Sequence, residues 1–120
     1  ITAYLNNESP TIFGDGEQTR DFTYVENVIK ANLNACQAKE SAFGKAMNIG
    51  CGYRISLNEL AKDIKDIIGS TKNPIYEESR AGDVRDSLAS IEAAKTHLNF
   101  TDQILLKDGL NDTINYYRSL

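Results

Sequence analysis

The sequence has few of the residue types that build metal sites and many active sites. Its 120 residues include two cysteines, one histidine, one methionine and no tryptophan. Cys36 and Cys51 form no C-x-x-C pair, and a single histidine beside them leaves too few ligands for a zinc site. We expect both thiols to be buried or half-buried. His97 follows a helical pattern beside Leu98, which indicates a surface or packing residue, so we predict no metal site and no catalytic residue in this chain.

An excess of positive charge is also missing. Lys and Arg number 13 against 17 Asp and Glu, which gives a net charge of −4 and a pI near 4.9. A nucleic-acid binder normally carries a basic face. No apolar run approaches the ~18–20 residues of a membrane span, and no charged-then-apolar signal segment opens the chain. We therefore expect no nucleic-acid partner, no membrane partner and a cytoplasmic location.

The composition is that of one folded domain. Hydrophobic residues make up 41% and charged residues 25%, close to the average of soluble globular chains. This length suits one domain and not two, and no repeat, low-complexity tract or linker divides it. The predicted domain is therefore residues 1–120. Because the chain opens at Ile1 without a methionine, we expect it to be a piece of something longer.

Short strands alternate with helices in the apolar pattern, which predicts an α/β fold. The predicted strands and extended stretches are 11–13, 22–25, 46–49 and 74–77. A helix beginning at Val25 places a set of apolar residues on one face. That set is Val25, Val28, Ile29, Leu33 and Cys36.

Three more helices follow in the second half of the chain. Ser56 and Glu59 have the spacing of a capping box, and Gly69 is placed to end that helix. Ser90 is the predicted N-cap of a helix that runs to Leu98, and the last helix covers residues 106–117.

A dinucleotide site is not visible in the sequence. The glycine pairs Gly14-x-Gly16 and Gly50-x-Gly52 are followed by Thr19 and Ile55 where the G-x-G-x-x-G fingerprint needs its last glycine. No tyrosine is followed four residues later by a lysine, the acid/base pair of short-chain dehydrogenases. We therefore predict no cofactor-binding residue in this chain.

Two glycine-marked loops carry the remaining polar residues. One delivers Arg20 after the 14–16 turn, and the other carries Arg80 and Asp83. The planar guanidinium of arginine suits the oxygens of a diphosphate, and two arginines from different loops can clamp one. Asp83 could accept hydrogen bonds from a ribose, and Asn48, at the end of a predicted strand, could donate to a phosphate. The alternative is that both arginines form exposed local ion pairs, Arg20 with Glu17 or Asp21 and Arg80 with Glu77 or Glu78.

Several strings resemble those of a known family. PTIFGDGEQTRDFTYV at 10–25 closely resembles the (I/F)-(Y/F)-G-D-G-x-Q-x-R-D-F-x-Y-V signature of the extended short-chain dehydrogenase/reductases, the NAD-dependent nucleotide-sugar epimerases and dehydratases. MNIGCG at 47–52, SLNEL at 56–60 and RAGDVR at 80–85 are similar to later family motifs, as is the tail to Tyr117. Ser90 and Phe100 depart from the usual aspartate and tryptophan.

The resemblance implies the C-terminal, substrate-binding portion of such an enzyme, an α/β unit of helices with short strands. The N-terminal Rossmann half, which would bind NAD, is absent from this sequence. In the family, residues at these positions contact the base, the diphosphate, the ribose and the sugar of the substrate. The implied substrate-binding residues are Thr11 and Phe13 for the base, Arg20 and Arg80 for the diphosphate, Asn48 for the nucleotide, Asp83 for the ribose and Ser87 for the sugar.

The function implied is the nucleotide-sugar-binding half of an NAD-dependent UDP-sugar 4-epimerase, with a homodimeric parent enzyme. Such an enzyme oxidises C4 of the sugar transiently and returns the hydride to the opposite face. The alternatives are a free-standing or vestigial binding module without catalysis, and the same half of a nucleotide-sugar 4,6-dehydratase. The isolated chain should show neither epimerase turnover nor tight NAD binding.

Ser87 is the predicted determinant of sugar breadth. In the resembling epimerases its position lines the wall of the sugar pocket, where a small residue leaves room for an N-acetyl group and tyrosine does not. The alternative is that Ser87 only satisfies a backbone group near a strand.

Overall fold

The computed structural model describes residues 1–120 as an arrangement of five α-helices and four short strands, which confirms the predicted α/β class. The helices are α1 (Thr2–Leu5), α2 (Val25–Cys36), α3 (Leu57–Ile68), α4 (Glu92–Leu98) and α5 (Leu106–Arg118). The strands are β1 (Thr11–Phe13), β2 (Thr19–Arg20), β3 (Ile55–Ser56) and β4 (Ile75–Glu77), and a 3₁₀ turn covers Glu40–Ala42. None of the helices combines the length and the apolar character that a bilayer span requires.

The strands form two small sheets. β1 and β4 pair in parallel with Thr11 opposite Ile75, and β2 and β3 pair antiparallel with Thr19 opposite Ser56. In a parallel pair the carboxyl ends lie at one edge, so the loops that follow β1 and β4 emerge side by side. Thr19 also forms a bridge with Asp86, which attaches the second loop to β2.

Helix α3 follows its sequence signals closely. The Ser56 hydroxyl accepts a hydrogen bond from the Glu59 N–H (3.1 Å), and the Glu59 carboxylate accepts one from the Ser56 N–H (2.8 Å), which completes the predicted capping box. Gly69 ends the helix in the left-handed region at φ +78°, a conformation that glycine adopts without a Cβ penalty. Ala61 and Ile64 are buried on the inner face of this helix.

Two separate clusters form the core. The first joins α1, α3 and α5 through Tyr4, Ile64, Leu110 and Ile114. The second joins α2 and α4 through Ala31 and Ala94, with Phe100 at its edge. The structure confirms three predicted elements: the strands at 11–13 and 74–77 and the last helix. Each contributes to one of these sheets or clusters.

Helix α2 begins and ends as predicted, but its apolar face is not the face that it buries. Asn27 and Ala31 are its buried residues, and the apolar residues at 25, 28, 29 and 33 are exposed. Cys36 is exposed and Cys51 is buried, so the expectation of two buried or half-buried thiols holds only for Cys51. The side of α2 that meets α4 is the polar and small-residue side, since Ala31 packs against Ala94.

Two local predictions are also wrong, and a third holds in part. Residues 46–49 form no strand, because no other strand lies beside them to accept and donate hydrogen bonds. Of the extended stretch predicted at 22–25, Tyr24 has extended backbone angles and Val25 already begins α2. The N-cap of α4 is Ile91 rather than Ser90, and it makes no side-chain capping bond.

The molecule is flat. Its extents are 51 × 35 × 18 Å and its radius of gyration is 16.8 Å. A compact domain of this length has a radius of gyration of about 13–14 Å. Only 18 of the 120 residues are buried, because a thin body leaves many apolar side chains with solvent on one side.

Candidate functional site

The site is built from two loops that run side by side, residues 14–20 after β1 and residues 78–87 after β4. Backbone hydrogen bonds join them: the Gly14 N–H donates to the Glu77 carbonyl (2.9 Å) and the Thr19 N–H donates to the Arg85 carbonyl (2.9 Å). The Ser87 N–H in turn donates to the Thr19 carbonyl (3.2 Å). These bonds hold the loops in register, so side chains far apart in sequence face a common surface.

Charged pairs cross between the loops. Arg20 Nη2 donates to Asp83 Oδ1 at 3.1 Å, and Arg85 Nη1 lies 3.0 Å from both carboxylate oxygens of Asp15. The N–H of Glu17 and, after it, the Arg85 guanidinium hold the pKa of Asp15 below its usual value. The Thr19 hydroxyl adds a bond to Asp86 at 2.6 Å. Each loop therefore carries both a positively and a negatively charged side chain of these ion pairs.

Arg80 differs from its neighbours because it has no carboxylate partner. Its guanidinium carbon lies 3.7 Å from the centre of the Phe13 ring, a stacking contact that orients the charge without neutralising it. The predicted alternative of local ion pairs is wrong for Arg20, which pairs with Asp83. It is also wrong for Arg80, which pairs with neither Glu77 nor Glu78.

Two adjoining cavities open beside this stacked pair. One, of about 260 Å³, is mostly apolar and is lined by Thr11, Phe13, Arg80 and Asp83 among others. The other, of about 230 Å³, continues along the loops and shares Phe13, Arg80 and Asp83 with the first. An apolar cavity with a few convergent polar groups is the usual form of a small-molecule site. Four of the predicted site residues, Thr11, Phe13, Arg80 and Asp83, thus line these cavities, and the fifth, Arg20, is bound to Asp83.

Gln18 is a site residue that sequence reasoning did not single out. Its amide nitrogen donates to the Phe13 carbonyl (2.6 Å), which fixes the chain next to the cavity. Its Oε1 atom is buried and has no hydrogen-bond partner. The buried hydroxyl of Tyr4, which lines the same cavity, is also without a partner. Gln18 had a signal, since it is the glutamine of the motif quoted for residues 10–25, but its contact with the Phe13 carbonyl can be seen only in the structure.

Asn58, Asp15 and Arg85 were also missed as supporting residues. Asn58 Nδ2 donates to the Asp15 carbonyl (3.0 Å) and to Glu17 (2.6 Å). The φ of Gly16 is +77°, which favours glycine at this turn, and a Cβ there would also collide with the Asn58 side chain. The Asp15–Arg85 pair had a signal, since both residues lie within the quoted motifs, but the pairing itself is set by the sheet.

Asn48 and Ser87 lie apart from the cavities. The Asn48 amide donates to the Ser90 carbonyl (3.3 Å), and its side chain is exposed. Ser87 is exposed, and only its backbone N–H is bonded to the first loop. The substrate roles given to these residues by the resemblance remain predictions.

The glycine pairs do not fit a dinucleotide. Around Gly50-x-Gly52, the N–H groups of Cys51 (2.8 Å) and Gly52 (3.0 Å) donate to the carboxylate of Asp21, which occupies the place where a pyrophosphate would bind. The 14–16 turn leads into β2 and not into a helix. Cys51 is buried, and burial, and after it the Asp21 carboxylate, raise the pKa of its thiol.

The chain is similar in sequence and in fold to proteins of known structure. The model of the NAD dependent epimerase/dehydratase family matches residues 1–50. The structure of a UDP-glucose 4-epimerase from Thermotoga maritima, solved with UDP-glucose, superposes on this one with a TM-score of 0.90 at 39% sequence identity. The superposition includes 97% of this chain and 37% of the epimerase chain.

Two further proteins show the same extent of similarity. The UDP-N-acetylglucosamine 4-epimerase from Methanobrevibacter ruminantium, solved with UDP-N-acetylmuramic acid, gives a TM-score of 0.90 at 34% identity, with 98% of this chain covering 37% of that one. The UDP-glucose 4-epimerase of Mycolicibacterium smegmatis is 31% identical over 117 residues, which are 98% of this chain and 37% of that protein. The chain thus spans little more than a third of the proteins it matches, and its fold is that of their C-terminal part.

Proposed function

Because the chain belongs to the NAD dependent epimerase/dehydratase family, we propose that residues 1–120 are the nucleotide-sugar-binding portion of a UDP-sugar 4-epimerase. The two loops and their cavities hold the substrate, and the reacting sugar extends from them. Holding the substrate in one orientation is itself a contribution to the rate, because it removes much of the entropic barrier to reaction.

Arg80 is the observation that carries this proposal. It is the one arginine of the two loops that no carboxylate neutralises, and it is oriented by Phe13 at the edge of an apolar cavity. A flat base in that cavity, against Thr11 and Phe13, places its diphosphate within reach of the free guanidinium. Arg20 adds a second contact, and its partner Asp83 keeps a carboxylate oxygen for a ribose hydroxyl.

We propose that the cofactor is bound elsewhere in the enzyme. What supports this is that the Cys51 and Gly52 N–H groups of the Gly50–Gly52 turn already donate to Asp21. We therefore assign NAD, and with it the transient oxidation at C4, to a part of the enzyme outside these 120 residues.

The test is a chimera in which residues 1–120 replace the matching part of the Thermotoga maritima epimerase. Arg80→Ala should weaken UDP binding, measured by calorimetry, about tenfold or more, because a charge-assisted bond contributes roughly 1.5–3 kcal/mol. Arg118→Ala, in an exposed arginine at the end of α5, is the matched control and should bind like the parent chimera. Equal binding by all three proteins would contradict the proposal.

Ser87 is the residue that we expect to determine which sugars are accepted. We propose that this small residue admits N-acetylated sugars. In the same chimera, Ser87→Tyr should lower kcat/KM for UDP-N-acetylglucosamine at least about tenfold while UDP-glucose is largely spared, because the tyrosine ring would occupy the room that an N-acetyl group needs. Equal losses for both sugars, or none for either, would remove Ser87 from the specificity argument.

A further inference from the structure

Arg20 is held in place by main-chain carbonyls as well as by Asp83. Its Nη1 atom donates to the Thr19 carbonyl (2.7 Å) and to the Arg85 carbonyl (3.3 Å), while Nη2 donates to Asp83. The Arg85 carbonyl also accepts from the Thr19 N–H (2.9 Å). An arginine presents its N–H donors in one rigid plane, so the position of this carbonyl constrains the orientation of the Arg20 guanidinium. What fixes the backbone at Arg85 therefore also acts on Arg20.

The side chain of Arg85 is fixed by Asp15 in the other loop. Its Nη1 atom lies 3.0 Å from both carboxylate oxygens of Asp15. Asp15 Oδ1 also accepts from the Glu17 N–H (3.0 Å), so this carboxylate is oriented within its own turn. The Arg85 and Asp15 side chains are 61% and 56% exposed, and an isolated pair of this kind adds little to stability. Its consequence is geometric, because it fixes the Arg85 segment against the 14–17 turn.

Asn58, near the start of α3, fixes the turn that carries Asp15. Its Nδ2 atom donates to the Asp15 carbonyl (3.0 Å) and to the Glu17 carboxylate (2.6 Å). Its backbone N–H donates to the Gly16 carbonyl (3.0 Å), and its Oδ1 atom accepts from the Tyr76 hydroxyl of β4 (2.9 Å). Both N–H donors of the amide are therefore used. One side chain connects α3, the first loop and β4.

We propose that Asp15 is a positioning residue for the contact between Arg20 and a diphosphate: it acts through Arg85, and Asn58 anchors it to α3. The inference rests on the proposed function, in which Arg20 is a ligand of the diphosphate. Asp15 and Arg85 also line the second cavity of the site. A direct contact of either residue with the substrate is therefore the competing outcome of the test.

The advantage of a positioned arginine is entropic. A long, flexible side chain loses rotamer freedom when it binds a ligand, and that loss lowers the affinity. The Arg20 guanidinium, held by two carbonyls and a carboxylate, has lost this freedom before the substrate binds. More of its attraction for the diphosphate then appears as affinity. Uridine, which has no diphosphate, should gain nothing from this arrangement.

The experiment measures binding of UDP and of uridine by the chimera described above. Asp15→Asn keeps the shape of the side chain and an acceptor for the Glu17 N–H, but removes the charge that holds Arg85. It should weaken UDP binding about fivefold and leave uridine binding, measured by competition with UDP, within about twofold. Asp66→Asn is the matched control, since this exposed carboxylate pairs with Lys62 on α3 (2.9 Å), and it should bind both ligands like the parent.

A double substitution distinguishes an indirect role from a direct one. Arg20→Ala removes the group that is positioned, so adding Asp15→Asn to it should weaken UDP binding by less than about twofold more. Asn58→Ala, which leaves the Asp15 carboxylate in place, should behave in the same way. A full fivefold further loss in the Arg20→Ala protein would show that Asp15 or Arg85 contacts the diphosphate itself, and would overturn the positioning role. So would equal losses for UDP and uridine.

A measurement without ligand separates this inference from the proposed function. In the isotope-labelled isolated chain, the guanidinium N–H groups of Arg20 should exchange with water at least about threefold faster in Asp15→Asn than in the parent or in Asp66→Asn. If exchange is faster but UDP affinity depends on neither Arg20 nor Arg80, the proposed function is rejected and the structural coupling of Asp15 to Arg20 stands. Unchanged exchange, with UDP affinity still lost in Arg80→Ala, would reject the positioning role alone.

Discussion

Helices α2 and α3 are the same length and are both amphipathic, yet they use their apolar faces in opposite ways. Each has 12 residues. Helix α3 begins with a capping box, ends at Gly69 and turns Ala61 and Ile64 into the core. Helix α2 has no side-chain cap, buries Asn27 and Ala31, and leaves its apolar residues in water. The difference shows that periodicity identifies an apolar face but not what covers it.

The largest expected difference comes from the same substitution on the two helices. Ile64 is 8% exposed and Ile29 is 51% exposed. Ile64→Ala should lower the free energy of unfolding of the isolated chain by about 2–5 kcal/mol, through lost burial and the cavity left behind. Ile29→Ala should change it by less than about 0.5 kcal/mol, because the side chain already meets water. Urea denaturation measures both, and similar losses would contradict the comparison.

The buried side of α2 depends on a polar contact. Asn27 Nδ2 donates to the Ile104 carbonyl (2.9 Å), and the Ile104 N–H donates to Asn27 Oδ1 (2.8 Å). Asn27→Ala leaves both backbone groups without a partner and should cost about 1–3 kcal/mol of unfolding free energy. Asn32→Ala is the control, since that exposed amide bonds only within its own helix. A loss at Asn32 as large as at Asn27 would show that the cost does not come from the two bonds to Ile104, because alanine favours a helix more than asparagine does.

The cap of α3 should contribute less than its core. Ser56→Ala removes the hydroxyl that accepts the Glu59 N–H and should cost about 1 kcal/mol of unfolding free energy. Ser56→Thr keeps an acceptor at the same place and should restore most of that loss. Thermal denaturation of the two variants separates the capping bond from any other effect, and an equally unstable threonine variant would count against the capping explanation.

The smallest expected effect is the pH dependence that the cap adds to α3. Hydrogen bonds from the Ser56 N–H and then from its hydroxyl lower the pKa of Glu59 from its ordinary value of 4.5. A carboxyl with a lowered folded-state pKa stabilises the fold above its unfolded pKa, and that contribution is lost as the pH falls through the folded value. Urea midpoints of the parent and of Glu59→Gln should therefore differ at pH 7 and converge below about pH 4.5. A constant difference across this range would be the contrary result.

Local signals predicted α3, α5, β1 and β4 because their partners lie within the chain. The capping box, Gly69 and the apolar residues around Ile64 all belong to one helix, and that helix packs against other parts of this chain. The strand predicted at 46–49 and the apolar face of α2 are different. No strand of this chain pairs with residues 46–49, and the apolar residues of α2 are exposed.

The candidate site was predictable in its residues and not in its pairings. Arg20, Arg80 and Asp83 stand in motifs that can be read along the chain. The pairing of Arg20 with Asp83 depends on the contact between the two loops, and the stacking of Arg80 on Phe13 depends on the parallel pairing of β1 with β4. Local charge spacing pointed to neighbours such as Glu77 instead, since it carries no information about the sheet.

Amide chemical shifts of the isolated, isotope-labelled chain during titration with UDP test the two loops and helix α2 in one measurement. If the two loops form the nucleotide site and α2 serves a different purpose, millimolar UDP should shift Thr11, Phe13, Arg80 and Asp83 and leave residues 25–36 unchanged. Shifts centred on α2, or unchanged loops at that concentration, would contradict the account.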